Sequence, residues 1–108
     1  MIKDSNPSAE NWPKPRYRTS LCVNKDKIYM FGGHDGTRQL NDFYSFDPKF
    51  ETWSQIVITD FVPSPRDSHV GVVHDGSMFI FGGSTGATVS SSKNDFYEFD
   101  FEENKWFQ

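Results

Sequence analysis

The side chains of this chain that could do metal chemistry are three histidines. A metal ion needs three or four ligands that converge within bonding distance. His69 and His74 are five positions apart, an odd separation that directs their side chains to opposite faces of one predicted strand. His34 lies in a different segment of the chain. The spacing therefore predicts no metal site, and we expect no cofactor.

Nucleophilic and phosphate-binding chemistry find equally little support. Cys22 stands between Leu21 and Val23, with no neighbouring cation that would make it a reactive thiolate, and is predicted to be a small core residue. Neither Gly32-Gly33 nor Gly82-Gly83 is followed by a Gly-Lys-Ser/Thr motif or by a helix start that would aim backbone amides at a phosphate. No Ser/His/Asp or paired-carboxylate arrangement has assignable roles, so we predict that the chain is not an enzyme.

Composition and charge narrow the class of protein. The 108 residues include 11 Phe, 4 Tyr and 3 Trp but only two Leu and two Ala. Aromatic and β-branched residues favour strands and good helix formers are scarce, which predicts an all-β fold. The net charge of −4, without a basic cluster, argues against nucleic acid and membrane partners. A single cysteine and the lack of a secretory signal predict the cytoplasm, with the nucleus as the alternative.

An internal repeat organises the chain. Four landmarks recur in the same order: a Pro-Arg pair, an apolar stretch that ends in Gly-Gly, an Asn-Asp-Phe-Tyr-x-Phe-Asp segment and a tryptophan. The first copies are Pro15-Arg16, Ile28–Gly33, Asn41–Asp47 and Trp53, and the second are Pro65-Arg66, Met78–Gly83, Asn94–Asp100 and Trp106. The shift is 50 residues for the first two landmarks and 53 for the others. Length that varies at one place while the flanking segments keep step indicates a loop there.

Each repeat contains four short apolar segments separated by turn signals, which predicts a four-stranded antiparallel meander. The predicted strands are 19–24, 27–31, 42–47 and 52–57 in the first repeat, and 69–74, 77–81, 95–100 and 105–108 in the second. The second strand of each repeat is apolar at successive positions, so both faces of each sheet need a cover. Two such sheets suit an architecture in which blades pack face to face around an axis.

These landmarks resemble the kelch repeat, whose units form the blades of β-propellers. The resemblance divides the chain into a lead-in segment 1–13, a first repeat 14–63 and a second repeat 64–108 whose last strand is cut short. The second repeat, with Gly83-Ser84-Thr85-Gly86 and the stretch Ser92–Phe99, is also similar to propellers of the leucine-zipper-like transcriptional regulator type, which carry BTB domains further along the chain.

Two blades leave the predicted ring incomplete, because propellers typically have four to eight. Three explanations stay open: a fragment of a longer propeller, an assembly of several copies into one ring, and a truncated product. The outward blade faces are predicted to expose Phe, Tyr and Ile side chains, a patch that usually marks an interface or an aggregation liability.

Two further repeated features are predicted to be structural. Arg16 and Arg66 both follow a proline, which favours a repeated hydrogen bond or ion pair over contact with a ligand. Trp53 and Trp106 occupy one fixed place in each repeat and are predicted to pack blade against blade.

Recognition usually lies in loops on a rigid scaffold. The kelch resemblance implies that partners bind one face of the propeller, formed by the loop after each double glycine and by the segment that leads into each first strand. The predicted binding residues are Arg18, His34, Asp35, Arg38, Ser68, Ser84 and Thr85. Arg18 takes a position that in kelch adaptors often points toward an acidic ligand, and its guanidinium suits a carboxylate.

The expected function is a non-catalytic protein–protein interaction module. By resemblance it is the substrate-recognition part of a ubiquitin-ligase adaptor or a scaffold, and partners include a recruited substrate, a small GTPase or the cytoskeleton. The alternative is a fragment of a propeller enzyme with a metal site in its central mouth. An adaptor predicts a dimerising or ligase-recruiting domain beyond residue 108, whereas an enzyme predicts metal ligands from further blades.

Overall fold

Eight strands form two four-stranded antiparallel meanders in the computed structural model, which describes residues 12–86, 88 and 92–108. The first sheet, blade 1, contains β1 (Ser20–Asn24), β2 (Lys27–His34), β3 (Gln39–Asp47) and β4 (Thr52–Gln55), and the second, blade 2, contains β5 (Val70–His74), β6 (Ser77–Ser84), β7 (Ser92–Asp100) and β8 (Lys105–Phe107). The predicted all-β fold of two antiparallel blades with an open ring is confirmed. Most of the predicted lead-in segment lies outside the described residues, and within them no helix is long and apolar enough to cross a membrane.

The second and third strands of each blade are longer than predicted. β2 continues through its double glycine to His34, and β3 begins at Gln39 instead of Asp42; β6 and β7 are extended in the same way. The β2–β3 ladder shifts register between Phe31 and Gly33, where the glycines have φ values of 66° and 106°. Because glycine adopts a positive φ without strain, the pair bends the strand without ending it. The predicted ends of these strands at residues 31 and 81 were wrong.

The two blades stack through one shared core, which we call the blade seam. Phe31 of β2 is paired with Phe43 of β3, and both side chains lie on the face of blade 1 that meets blade 2. The buried residues of the seam are Cys22, Phe31 and Phe43 from blade 1 and Met78, Ile80, Tyr97, Phe99 and Trp106 from blade 2. Burying this much aromatic surface is the main force that holds the two sheets together.

The two repeated tryptophans occupy different environments. The Trp106 side chain is 3% exposed, and its ring centroid lies 5.1 Å from that of Phe31 and 5.3 Å from that of Phe43 across the seam. Trp53 is half-buried and packs on Phe46 of its own sheet with 4.9 Å between ring centroids. The blade-to-blade role is therefore confirmed for Trp106. Trp53 lies on the opposite face of blade 1, which meets no second sheet in the described part of the chain.

The first strands of the two blades, β1 and β5, approach closely at Gly71. A Cβ added there would lie 2.9 Å from Cys22 Sγ and 3.0 Å from Ser20 Cβ. We expect Gly71→Val to lower the free energy of unfolding by about 1–3 kcal/mol, because the seam must open to admit the side chain. Leu21 holds the matching place in the first repeat and is 61% exposed. Leu21→Val is therefore the control, expected to change stability by less than about 0.5 kcal/mol in urea unfolding; equal effects would contradict the close approach.

The same comparison bears on a ring made of several copies. In such a ring Leu21 of one copy would take the place of Gly71, and Val70 and Val72 of the next copy would replace Ser20 and Cys22. A Cβ at Gly71 would lie 2.9 Å from Cys22 Sγ, closer than real Cβ contacts. A seam between two copies would therefore need a wider spacing of β1 and β5 than the seam within the chain.

Candidate protein-interaction face

The strand ends form two different faces of the protein. One end carries the tight β1–β2 and β5–β6 turns together with the β3–β4 and β7–β8 turns. The other end carries the β2–β3 and β6–β7 loops and the segments that lead into β1 and β5, and we call it the loop face. All seven predicted binding residues lie on the loop face: Arg18, His34, Asp35, Arg38, Ser68, Ser84 and Thr85. Their role in binding stays a prediction.

His34 is tied to the segment that leads into β1. The Tyr17 amide donates to the His34 carbonyl at 3.0 Å, and the His34 amide donates back at 2.9 Å. The Gly36 amide donates to His34 Nδ1 at 2.9 Å, and the Tyr17 hydroxyl lies 3.1 Å from the same nitrogen. Because Nδ1 accepts from an amide, the neutral ring carries its proton on Nε2. These contacts leave the Nε2–H as a donor for a partner.

Asp35 shapes the β2–β3 loop from within. Its Oδ1 accepts hydrogen bonds from the amides of Thr37 at 2.9 Å and Arg38 at 3.0 Å, and Lys14 Nζ lies 3.6 Å from Oδ2. The two amide hydrogen bonds, first that of Thr37, lower the pKa of Asp35 to about 2. Asp35 therefore orients the loop that presents Arg38.

Arg18 and Ser68 hold matching places in the two repeats, and both are exposed with positive φ values of 57° and 64°. The Ser68 amide donates to the Arg18 carbonyl at 2.9 Å, which joins the two entry segments across the seam. The Arg18 guanidinium lies 5.4 Å from the centroid of the Tyr17 ring. Within the described ranges, no carboxylate lies within ion-pair distance of Arg18 or Arg38.

Gln39 and Asp67 lie in the segments predicted to form this face, but neither was among the seven predicted binding residues. Asp67 is 4% exposed and accepts hydrogen bonds from Gln39 Nε2 at 2.9 Å and from the Ser68 hydroxyl at 2.7 Å. Burial raises the pKa of Asp67, but the hydrogen bonds from Ser68 and Gln39 and the charges of His34 and Arg18 outweigh it, so the pKa lies below its ordinary value. The available signal was an acidic residue directly after the second Pro-Arg pair.

The β6–β7 loop contributes Ser84 and Thr85. Ser84 and Asp67 exchange backbone hydrogen bonds of 2.8 and 2.9 Å, and the Ser84 hydroxyl donates to the Gly86 carbonyl. Thr85 is half-buried and engaged in an interaction of its own. Residues 87 and 89–91 of this loop lie outside the described residues. The loop is therefore anchored at its start, next to Ser68 and Asp67.

Two arginine–aspartate pairs support the loop face from below. Arg66 Nη1 donates to Asp95 Oδ1 at 2.6 Å and to the Gly82 carbonyl at 3.0 Å, while Nη2 donates to Asp95 Oδ2 at 3.1 Å. In the first repeat Arg16 donates to both carboxylate oxygens of Asp42 in the same way. The predicted structural role of the repeated arginine is confirmed.

The two faces differ in charge once these two pairs are set aside. The loop face carries four cationic against two acidic side chains, and the opposite face carries four against seven. The loop-face residues are Lys14, Arg18, Arg38 and Lys93 with Asp35 and Asp67; the opposite-face residues are Lys25, Lys27, Lys49 and Lys105 with Asp26, Asp47, Glu51, Asp75, Asp100, Glu102 and Glu103. Asp60, which lies beside Lys105, and Glu98, within β7, are counted on neither face. The loop face is therefore the less acidic of the two.

The landmarks of both repeats thus stand at equivalent places in two stacked blades. The sequence model of the KLHDC2/KLHL20/DRC7 Kelch-repeats domain matches residues 3–108. The chain belongs to the kelch-repeat family. Members of this family are typically non-catalytic modules that mediate protein–protein interaction.

The relatives that match this kelch region are much longer proteins. The leucine-zipper-like transcriptional regulator 1 homolog of Drosophila melanogaster is 38% identical over 97 residues, which cover 86% of this chain and 10% of the relative. The Rho GTPase-activating protein gacHH of Dictyostelium discoideum is 36% identical over 98 residues (87% and 6%), and human host cell factor 2 is 32% identical over 124 residues (97% and 15%). The kelch chain therefore spans 6–15% of the length of these curated relatives. The likeness to the leucine-zipper-like regulator type is confirmed.

The histidines of the kelch blades lie apart from one another. His69 is buried in the blade seam, His34 lies on the loop face, and His74 ends β5 on the opposite face. Within residues 12–86, 88 and 92–108, no group of three or more His, Cys, Asp and Glu is arranged to hold a metal ion. Cys22 is a free thiol in the seam core, as predicted, and burial raises its pKa.

Proposed function

We propose that the chain is a non-catalytic protein-interaction module that binds its partner with the loop face. The observation that carries this proposal is which charged side chains of the loop face already have a partner within the chain and which do not. Arg18 and Arg38 are exposed, and no carboxylate of the described ranges lies within ion-pair distance of either. Asp35 and Asp67 are engaged in hydrogen bonds that shape the face. Two guanidinium groups are thus available to a partner.

An acidic segment of a protein is the partner chemistry that fits. Guanidinium groups bind carboxylates through two parallel hydrogen bonds, which adds geometric specificity to the charge attraction. The Arg18 backbone is held by Ser68, and the Arg38 amide is held by Asp35, so little conformational freedom is lost on binding. The Nε2–H of His34, whose Nδ1 accepts from the Gly36 amide, is a further donor on this face for a polar group of the same segment.

Arg18→Ala is expected to weaken binding of a labelled Glu-rich peptide about tenfold or more in fluorescence anisotropy, since a hydrogen-bonded charge pair contributes about 1.5–3 kcal/mol. Thermal unfolding should be unchanged, because the Ser68 contact uses only the Arg18 carbonyl. Lys25→Ala, on the opposite face, is the matched control and should bind like the wild type. Equal losses of binding and of melting temperature would make Arg18 a structural residue and contradict the proposal.

We further propose that the whole protein uses this face for substrate recognition as a ubiquitin-ligase adaptor or scaffold, in the cytoplasm or the nucleus. The support is the likeness to the leucine-zipper-like regulator type and the small share of each relative that the kelch region covers. Sequencing of the full-length transcript tests it: a dimerising or ligase-recruiting domain is expected beyond residue 108. A transcript without such a domain, or stoichiometric metal in the purified complete protein, would favour the propeller enzyme.

A further inference from the structure

Four residues that precede β5 tie blade 2 to blade 1 at the loop face, and we call Arg66–His69 the stitch segment. Three backbone hydrogen bonds of 2.9–3.0 Å cross the seam here; they run from the Arg66 amide to the Leu40 carbonyl, from the Gly33 amide to the Arg66 carbonyl and from the Ser68 amide to the Arg18 carbonyl. The side chain of Gln39 adds a fourth to Asp67. The segment therefore holds both the β2–β3 loop and the backbone of Arg18.

His69 ends the stitch segment and is buried in the seam, with 7% of the residue exposed. Its Nε2 lies 2.8 Å from Ser20 Oγ of β1, and its ring meets that of Phe31 edge to face at 5.4 Å. Its Cε1 lies close against Gly32. The first repeat has Thr19 at the matching place, and the Thr19 hydroxyl donates to the Phe31 carbonyl at 2.8 Å. One blade thus has a titratable side chain where the other has a neutral one.

A positive charge on His69 finds little compensation. Within the stitch segment, the charge of Arg66 disfavours a protonated ring and the charge of Asp67 favours it. The neighbouring strands provide the neutral hydroxyl of Ser20 on β1 and the carbonyl of Phe31 on β2. Gly83 of β6 packs against the His69 backbone. Within the described residues His69 Nδ1 has no hydrogen-bond partner. Burial is the largest effect and lowers the pKa of His69 to about 4, from 6.5. The closed seam therefore favours the neutral ring.

We propose that His69 is a positioning residue for the loop face: the neutral ring keeps the stitch segment closed on blade 1, and protonation opens it and releases the backbone of Arg18. The open form exposes the ring to water and binds a proton more readily than the closed form. Acid therefore shifts the population toward the open form. Only the last step, from Arg18 to partner binding, rests on the proposed function.

Hydrogen exchange of the Ser68 amide, followed by NMR on the whole chain, reports the opening without any partner. With pKa values of 6.5 in the open form and about 4 in the closed form, the opening equilibrium constant is expected to rise about 20-fold from pH 7 to pH 5 after correction for the intrinsic exchange rate. Asp35 and Asp67 stay ionised in this interval, since their pKa values lie below the ordinary range. The loop-face carboxylates therefore do not contribute to this profile, and the histidine variants assign it to one ring.

Two variants and one control decide the assignment. His69→Gln stays neutral and keeps a side-chain donor, and His69→Thr inserts the residue that the first repeat has at this place; both are expected to give a flat opening profile from pH 7 to pH 5. His74→Gln, at the exposed end of β5, should keep the wild-type profile. A flat profile in the wild type, or a steep one in a folded His69 variant, would overturn the proposal.

The Glu-rich peptide separates this proposal from the proposed function. At pH 5 and ten times its Kd, a peptide that binds only the closed form should lower the opening constant at Ser68 about tenfold. A peptide that binds and leaves the Ser68 opening unchanged would overturn the coupling while the proposed function stands. If no binding occurs, the proposed function fails, and the pH dependence of the peptide-free chain still decides the role of His69.

Discussion

Replacing Trp106 by alanine is expected to lower the free energy of unfolding by about 3–5 kcal/mol, as for other buried aromatic truncations. The indole is 3% exposed and lies between Phe31 and Phe43 of blade 1 and Phe99 of its own blade, with ring centroids 5.1–5.3 Å apart. Its removal leaves a cavity in the one core that both blades share. Urea denaturation followed by far-UV circular dichroism measures the effect.

Trp53→Ala is the matched control for this prediction. Trp53 holds the same place in the first repeat, but it is half-buried and its ring neighbours, Phe46 and Tyr44, belong to its own sheet. Less surface returns to water and no cavity forms between the blades, so a loss of about 1–2 kcal/mol is expected. If the two variants lost the same stability, the seam would not be the main core and the blade assignment would be contradicted.

Much of the fold was predictable because the repeat exposes its own boundaries. Segments that recur at a constant shift of 50 residues are structural elements, and the place where the shift changes to 53 is a loop. The double glycines misled the strand prediction, since glycine usually weakens a strand, whereas here the ladder continues past Phe31 with a register shift and reaches His34. Whether a glycine pair ends a strand or bends it depends on the partner strand, which no local pattern reveals.

The candidate site was predictable only in part, for a related reason. Strand order alone places the seven predicted residues at one end of the blades. The contacts from Gln39 to Asp67 and from Ser68 to Arg18 join different blades, and a repeat shows which residues are equivalent without showing which ones meet. His69 was considered as a metal ligand, although the useful signal was that the equivalent position of the first repeat holds Thr19.

Arg66→Met is expected to lower the free energy of unfolding by about 3 kcal/mol, the lower end of the cost of breaking a buried ion pair from one side, because the Asp95 side chain is 26% exposed. The Arg66 side chain is fully buried, and its loss leaves the Asp95 carboxylate, the Gly82 carbonyl and the Ser64 hydroxyl without their shared donor. Arg66→Lys keeps the charge but loses the second hydrogen bond to Asp95, so an intermediate loss is expected. Thermal and urea unfolding at pH 7 measure both variants.

Replacing Asp95 as well tests whether the lost stability comes from the uncompensated charge of its carboxylate. In Arg66→Met the Asp95 carboxylate keeps the hydrogen bond from the Tyr97 hydroxyl, 2.9 Å away, but loses the charge that neutralised it. The double variant with Asp95→Asn should therefore be no less stable than Arg66→Met alone, whereas additive losses would mean that the two residues act independently.

Acid gives a parallel test. The hydrogen bond from Arg66 holds the pKa of Asp95 below its ordinary 3.8, so this stabilisation is complete above that pH and is lost as the pH falls below it. The acid loss at this site should vanish in the double variant, because the asparagine does not titrate.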